Sequence, residues 1–198
     1  SKFIEELDEI FMITEDSGFN APLLNGWPRN SLEITFGNQD QASDMKSKYS
    51  SLSDGSVSVE MINRFVQEDA YRILFSGSKN SFWKLSSTKK LDWTEEASQS
   101  GVLSIDFRVL QSDKTKPLIF SSLCGDDCGS SLILDDSIVK NQWINIGIDV
   151  SCMGESGLDL SDISEPLEMS SEGFWEFEIG EIKLIGGTGG TSMMFCTV

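Results

Sequence analysis

From Trp143 to Val150 the chain alternates without a break: Ile144, Ile146, Ile148 and Val150 are apolar, and Asn145, Gly147 and Asp149 fall between them. An extended backbone sends successive side chains to opposite faces, so a period of two puts one face in a core and leaves the other in water. A helix would scatter the same residues around its circumference. The period recurs in Leu32–Phe36, Val57–Met61, Val102–Leu110 and Phe174–Leu184, and shorter apolar runs occupy Tyr71–Phe75, Phe82–Leu85 and Pro117–Leu123. Turn residues such as Ser76-Gly77 and Ser112-Asp113 separate them. Short strands joined by turns, with no strong central helix, predict an all-β fold, an antiparallel β-sandwich of jelly-roll type. Gly180 interrupts the last long strand and predicts a bulge or kink there.

The flanks read differently. Phe3, Ile4, Leu7, Ile10 and Phe11 follow a helical period, so Ser1–Ile13 reads as a short helix on the domain or as the tail of a preceding linker. Asp16–Asn30 gathers Gly and Pro and reads as loop, as does the polar, Ser-rich stretch Gly37–Gly55. Gly186–Gly190 reads as a flexible linker, and Met193–Val198 as an added strand or a continuation. The expected organisation is therefore an N-terminal extension over 1–50 (helix, loop and first strand), a sandwich over 51–185, and a Gly-rich tail over 186–198. A length of 198 residues is enough for one such core.

Charge and composition exclude several functions. With 32 acidic and 15 basic residues the formal net charge is −17, which repels a nucleic-acid backbone and an anionic membrane surface. No apolar run is long enough to span a bilayer. Neutral polysaccharide, cationic partners and divalent cations remain, and solubility alone is the plainer account of an acidic surface. The chain has no His. That removes Ser–His–Asp, Cys–His and His-based zinc chemistry. Hydrolysis by two carboxylates needs them facing each other across roughly 5–10 Å. Asp69, Asp149, Glu176 and Glu178 are strand-borne candidates, but a solvated acidic face accounts for them more simply. Glu176, Glu178 and Glu181, on one strand's outer face, point to exposure to solvent or to a cation.

Aromatic side chains give the other chemistry, since their faces stack on the apolar faces of sugar rings. Trp83, Trp93 and Trp27 are the better candidates for platforms, with core packing the alternative for each. Trp143 reads as structural, plugging an edge of the core, and one of Phe174 and Trp175 is expected to face out. For calcium, which takes oxygen ligands, Asp126-Asp127, Asp135-Asp136 and Asp159/Asp162 are the candidate clusters, with Asp126 and Asp127 first. Four cysteines, Cys124, Cys128, Cys152 and Cys196, fit disulfides and an oxidising compartment, with three connectivities open. Cys124 and Cys128 alternatively form half of a thiolate zinc site. The start at Ser1 without Met and the absence of an Asn-x-Ser/Thr sequon fit a processed or excised piece of an exported, bacterial protein.

Several segments together resemble one family. Gln67-Glu68-Asp69-Ala70 with Phe75-Ser76-Gly77, Cys124-Gly125-Asp126-Asp127-Cys128-Gly129, Trp143–Ile146 through Asp149–Met153, Gly157–Ser161 with Glu165-Pro166-Leu167, and Phe174–Leu184 occur in an order and spacing that resembles the C-terminal galactose-binding-like domain of ExoP-type exo-β-glucanases, within glycoside hydrolase family 3. The resemblance covers Val57 to Leu184. Met153 stands where that family usually has an aromatic, and the first fifty residues and the tail are not covered. The resemblance implies a jelly-roll sandwich related to carbohydrate-binding modules, whose catalytic carboxylates lie in other domains. The expected function is thus a non-catalytic accessory module of a secreted polysaccharide-degrading protein. It would bind β-glucan or an algal glycan weakly, by stacking on Trp83 or Trp93 with polar help from Arg64, Gln67 and Asp69. Cys124 and Cys128 would close a small loop and Cys152 and Cys196 staple the tail, with free buried thiols as the alternative. The rival expectations are a scaffold bracing an adjacent catalytic domain, or a calcium-assisted adhesion domain.

Overall fold

A computed structural model describes residues 20–29, 31–134, 138–186 and 193–195. The strands form two sheets. The larger holds β1 (Asn20–Asn25), β2 (Trp27–Pro28), β5 (Tyr49–Ser51), β6 (Val57–Ile62), β7 (Ala70–Ser76), β9 (Gly101–Ser112), β12 (Ile144–Asp149), β14 (Phe174–Gly186) and β15 (Met193–Phe195). Its main order is β15-β12-β9-β14-β7-β6-β5, with β1 paired to β14 beyond the end of β7, and β2 to β1. The smaller sheet holds β3 (Leu32–Asn38), β4 (Ala42–Asp44), β8 (Ser81–Ser87), β10 (Leu118–Gly125), β11 (Cys128–Leu134) and β13 (Glu165–Ser171), in the order β11-β10-β13-β8-β3-β4. All pairings are antiparallel except β12 with β15. The fold is the predicted antiparallel β-sandwich.

The period of two explains the packing. Tyr71, Ile73 and Phe75 of β7, Phe107 and Val109 of β9, and Phe177 and Ile179 of β14 point inward and are buried. They meet Phe36, Trp83, Leu85, Phe120, Leu167 and Met169 of the other sheet. Phe107 sits edge-on to Phe120 across the core at 5.4 Å, and Phe75 edge-on to Phe177 at the same distance, the geometry that aromatic quadrupoles favour.

The structure departs from the sequence reading in places where period two is silent. The boundary expected at residue 50 is not one. β3 lies inside the smaller sheet between β8 and β4, and β1 is hydrogen-bonded to β14. The stretches read as loops contain β1, β2, β4 and β5, short strands whose backbone pairing, not apolar patterning, holds them. Glu165-Pro166-Leu167 opens β13. Pro166, which has no N–H to give, falls where the β10–β13 register shifts between Ser121 and Leu123. The strand read as Trp143–Val150 ends at Asp149, whose carboxylate accepts from Ser151 and Cys152 N–H and caps the short helix Val150–Glu155. The bulge expected at Gly180 is present, as a register shift between Ile179 and Ile182. The helix expected over Ser1–Ile13 and most of the Gly-rich tail lie outside the described residues.

Candidate functional site

The outer face of the larger sheet carries a row of polar and aromatic residues running across the strands. In register, Tyr49 of β5 faces Glu60 of β6, Glu60 faces Arg72 of β7, Arg72 faces Glu178 of β14, and Glu178 faces Arg108 of β9. Trp143, just ahead of β12, continues the row beyond Arg108, because Ile144 pairs with Phe107. Five inter-strand steps of ~4.8 Å give the row a length of about 24 Å.

Its centre is a charge clamp. Glu178 is 0% exposed although it lies on the outer face. Arg72 donates to Oε1 from Nε at 3.1 Å and Nη2 at 2.9 Å. Arg108 donates to Oε2 from Nε at 2.6 Å and is ion-paired through Nη2. Two guanidinium groups thus cover one carboxylate and replace its water. Each arginine is fixed through two of its nitrogens, and the third, Nη1, has no partner among the described residues. The Arg72 and Arg108 side chains keep 41% and 28% of their surface exposed, so these N–H groups are preset donors.

At the Trp143 end a second arginine system covers the sheet. The Arg64 guanidinium lies 4.2 Å from the Trp143 ring centroid and 4.4 Å from that of Phe65, and Arg108 lies 5.0 Å from Trp143 on its own account. Arg64 also pairs with Asp106, which accepts from Asn145 Nδ2 at 2.9 Å. The glycine at 180 makes this possible, since a Cβ there would come within 2.6 Å of Arg64 Nη1. Arg64 is supplied by the 63–69 turn, which Asp69 organises by accepting N–H bonds from Arg64 (2.6 Å), Phe65 (2.9 Å) and Val66 (3.0 Å). Burial alone would raise the Asp69 carboxyl, but these backbone donors outweigh it and hold it below the usual carboxylate range. Asn25, Arg64, Phe65, Asp69, Asp106 and Glu181 enclose a hollow of about 150 Å³.

The predicted site residues divide accordingly. Arg64 and Asp69 come together beside this hollow, and Gln67 is exposed on the same turn. Trp83 and Trp93 are corrected. Trp83 is fully buried, with its ring 6.5 Å from Tyr71, and Trp93 is 3% exposed. Neither has a face to offer a sugar. Parity carried the signal: Trp83 has the same phase as Leu85 in β8. Trp143 is corrected in the opposite sense. It has the phase of Asn145, lies on the outer face and is half-buried under two arginines. Trp175 is buried and donates to the Lys116 carbonyl at 2.9 Å. Among the strand carboxylates, Asp69 and Asp149 serve the backbone, Glu178 is clamped and Glu176 is half-exposed. The three-carboxylate face is therefore not uniformly solvated, and the cations at its middle member are Arg72 and Arg108.

Cys124 and Cys128 are joined in a disulfide across the β10–β11 turn, Cα–Cα 5.0 Å, which excludes their use as a thiolate pair for zinc. Cys152 is disulfide-bonded as well; Cys196 lies outside the described residues. Asp126 and Asp127 are exposed at the tip of that turn, and no group of three or more His, Cys, Asp or Glu side chains gathers into a metal site among the described residues. Among the described residues, no third carboxylate or thiolate joins Asp126 and Asp127, which the hairpin holds out into solvent. Asp159 and Asp162 are engaged with Ser161 and Lys90, and Asp135 and Asp136 are outside the described residues.

Comparison with known proteins gives the wider setting. A family model described as galactose-binding domain-like, the Exop_C model, matches residues 33–184. No curated protein matches the sequence. Among solved structures, the extra C-terminal domain of exo-1,3/1,4-β-glucanase (ExoP) from a Pseudoalteromonas species superposes with a TM-score of 0.72 at 14% identity, over 87% of this chain and 96% of that domain. Against the whole of that enzyme the score is 0.74 at 14% identity, over 93% of this chain and 23% of the enzyme. The family 30 carbohydrate-binding module of a Clostridium thermocellum cellulosomal cellulase gives 0.61 at 11% identity, over 86% and 99% of the two chains. A family 11 module from Clostridium thermocellum, in complex with a β-1,3-1,4-mixed-linked tetrasaccharide, gives 0.53 at 15% identity, over 87% and 98%.

Proposed function

The chain belongs to the galactose-binding domain-like family of the ExoP C-terminal type, and from that premise we propose that it is a non-catalytic, carbohydrate-binding accessory module. The observation that carries this is the clamped row on the larger sheet. Arg72 and Arg108 are immobilised by Glu178 yet keep free N–H donors, and an aromatic residue closes each end, Trp143 at one and Tyr49, 59% exposed, at the other. Donors that are already fixed lose little entropy when they take up sugar hydroxyls. The ring faces supply the stacking area. A row of about 24 Å suits several units of a linear chain lying across the strands.

The ligand class is a neutral glycan. The row balances Arg72 and Arg108 against Glu60 and Glu178, and Arg64 against Asp106. With the −17 charge of the whole chain, nothing there attracts an anionic polymer. β-Glucan is the leading candidate, in keeping with the mixed-linked tetrasaccharide held by the family 11 module and the glucan in ExoP's name. The module serves an exported protein; the Cys124–Cys128 disulfide supports an oxidising compartment.

Isothermal calorimetry and affinity electrophoresis against laminarin, mixed-linkage glucan, cellulose and algal galactans test this. We expect binding to at least one glucan, weakened about tenfold or more by Trp143→Ala, a change of roughly 1.4 kcal/mol, with the fold retained by circular dichroism. No binding to any of these polymers would overturn the reading.

A further inference from the structure

We propose that the cleft beside Trp27 is a second glycan site, separate from the clamped row, that takes a single neutral pyranose ring. The indole is 52% exposed, whereas Trp83, Trp93 and Trp175 are 0–3% exposed. The backbone that carries it is also tied down. Trp27 pairs with Asn25 across the Gly26 corner, and the carbonyl of Gly26 accepts the hydroxyl of the buried Tyr71. Gly26 has φ +76°, and a Cβ there would lie 2.9 Å from the Glu68 carbonyl, so the corner is pressed onto the 63–69 turn. A large aromatic face, kept in water on a fixed hairpin, is a preorganised platform.

The cleft it walls has a volume of about 270 Å³. Leu32, Ile34, Met45 and Tyr71 give it an apolar floor, and Glu33, Asp44 and Lys46 give it a charged rim. Sites for larger ligands occupy about 300–1,000 Å³, so this one suits one ring rather than a chain. Two carboxylates against one ammonium, on a strongly acidic protein, disfavour an anion and accept from hydroxyl donors. The C–H face of a pyranose meets the negative face of the indole. Asn25 lines the hollow at the Arg64 end of the row and Trp27 lines this cleft. The two share no lining residue, so neither depends on the other for its chemistry. The inference shares its ligand class with the proposed function but stands on its own residues.

The test uses methyl β-glucoside, β-galactoside, β-mannoside and β-xyloside, with the indole N–H signals of the protein followed by NMR. We expect at least one of these single-ring probes to shift Trp27 saturably. Trp27→Ala should weaken that binding by about tenfold or more and leave binding of the long glucan unchanged, whereas Trp143→Ala should do the reverse. If none of the four probes moves the Trp27 signal at the highest soluble concentration, the second site does not exist, whatever the long polymers show. If a probe moves Trp27 while no polymer binds, the cleft stands and the reading of the row falls.

Discussion

Each sheet carries a cross-strand row on its outer face, and both rows have a glutamate near the middle. On the larger sheet it is Tyr49, Glu60, Arg72, Glu178, Arg108 and Trp143. On the smaller sheet Asp44, Thr35, Lys84, Glu168, Ser121 and Ser131 stand opposite one another in the same way. The environments differ. Glu178 has a guanidinium from each neighbouring strand. Lys84, which faces Glu168, instead donates to Glu165 at 2.6 Å, and Ser121 and Ser131 bond each other at 2.9 Å. Burial, and then the charge of Glu165, push the Glu168 carboxyl above its usual range against the pull of Lys84. One row thus builds an ordered array of donors between aromatics. The other leaves a carboxylate poorly served and offers no ring at either end. Equivalent register does not make an equivalent site; the partners supplied by the adjacent strands do.

Removing the central charge of the first row should break this contrast most severely. Glu178→Ala leaves two arginines facing each other without their counter-ion, and losing one partner of a buried pair costs about 3–5 kcal/mol. We expect the melting temperature to fall by on the order of 10 °C at this chain length, and glucan binding to be lost.

Asp69→Ala acts next to that row. It strands three turn N–H groups, an effect of about 1–3 kcal/mol, and should loosen Arg64 and weaken glucan binding. Because the folded-state carboxyl is held below its unfolded value of ~3.9, its stabilising contribution is present above that pH. It is lost only as pH falls through the lower folded value. Amide exchange across residues 63–69, followed from pH 6 down to pH 2, should show protection persisting below pH 4 in the native protein and missing throughout in the variant.

The smallest effect, with the opposite sign, belongs to the second row. The folded-state carboxyl of Glu168 lies above its unfolded value, so folding favours the protonated form and stability falls as pH rises through the folded value. Glu168→Gln should therefore raise the melting temperature at pH 7, by no more than about 2–4 °C, and the gain should shrink towards pH 3. A loss of stability at pH 7 would show that Glu168 resembles Glu178 after all.

Much of this was legible in the residues. Arg72 stands between Tyr71 and Ile73, Arg108 between Phe107 and Val109, Glu178 between Phe177 and Ile179, and Asn145 between Ile144 and Ile146. Each is thereby assigned to an outer face. The same parity test, applied to every tryptophan, separates buried Trp83 from outward Trp143. The early strands were harder to read, because edge strands such as β4 and β5 are held by backbone bonds that leave no apolar signature. Pro166 likewise argues against a strand until the bulge that accommodates it is seen.

What the sequence determined alone was the period: which side chains share a face, that those faces close into an antiparallel sandwich, and that a chain without His lacks the usual neutral-pH base. What only the tertiary structure decided was adjacency. Residues 72, 108 and 178 lie far apart along the chain and meet because β14 is hydrogen-bonded between β7 and β9. Period two is a local property of extended backbone, whereas strand order and register are settled by the packing of the whole core. A local pattern could therefore say that Glu178 faces outward, and only the assembled sheet could say that two arginines wait for it there.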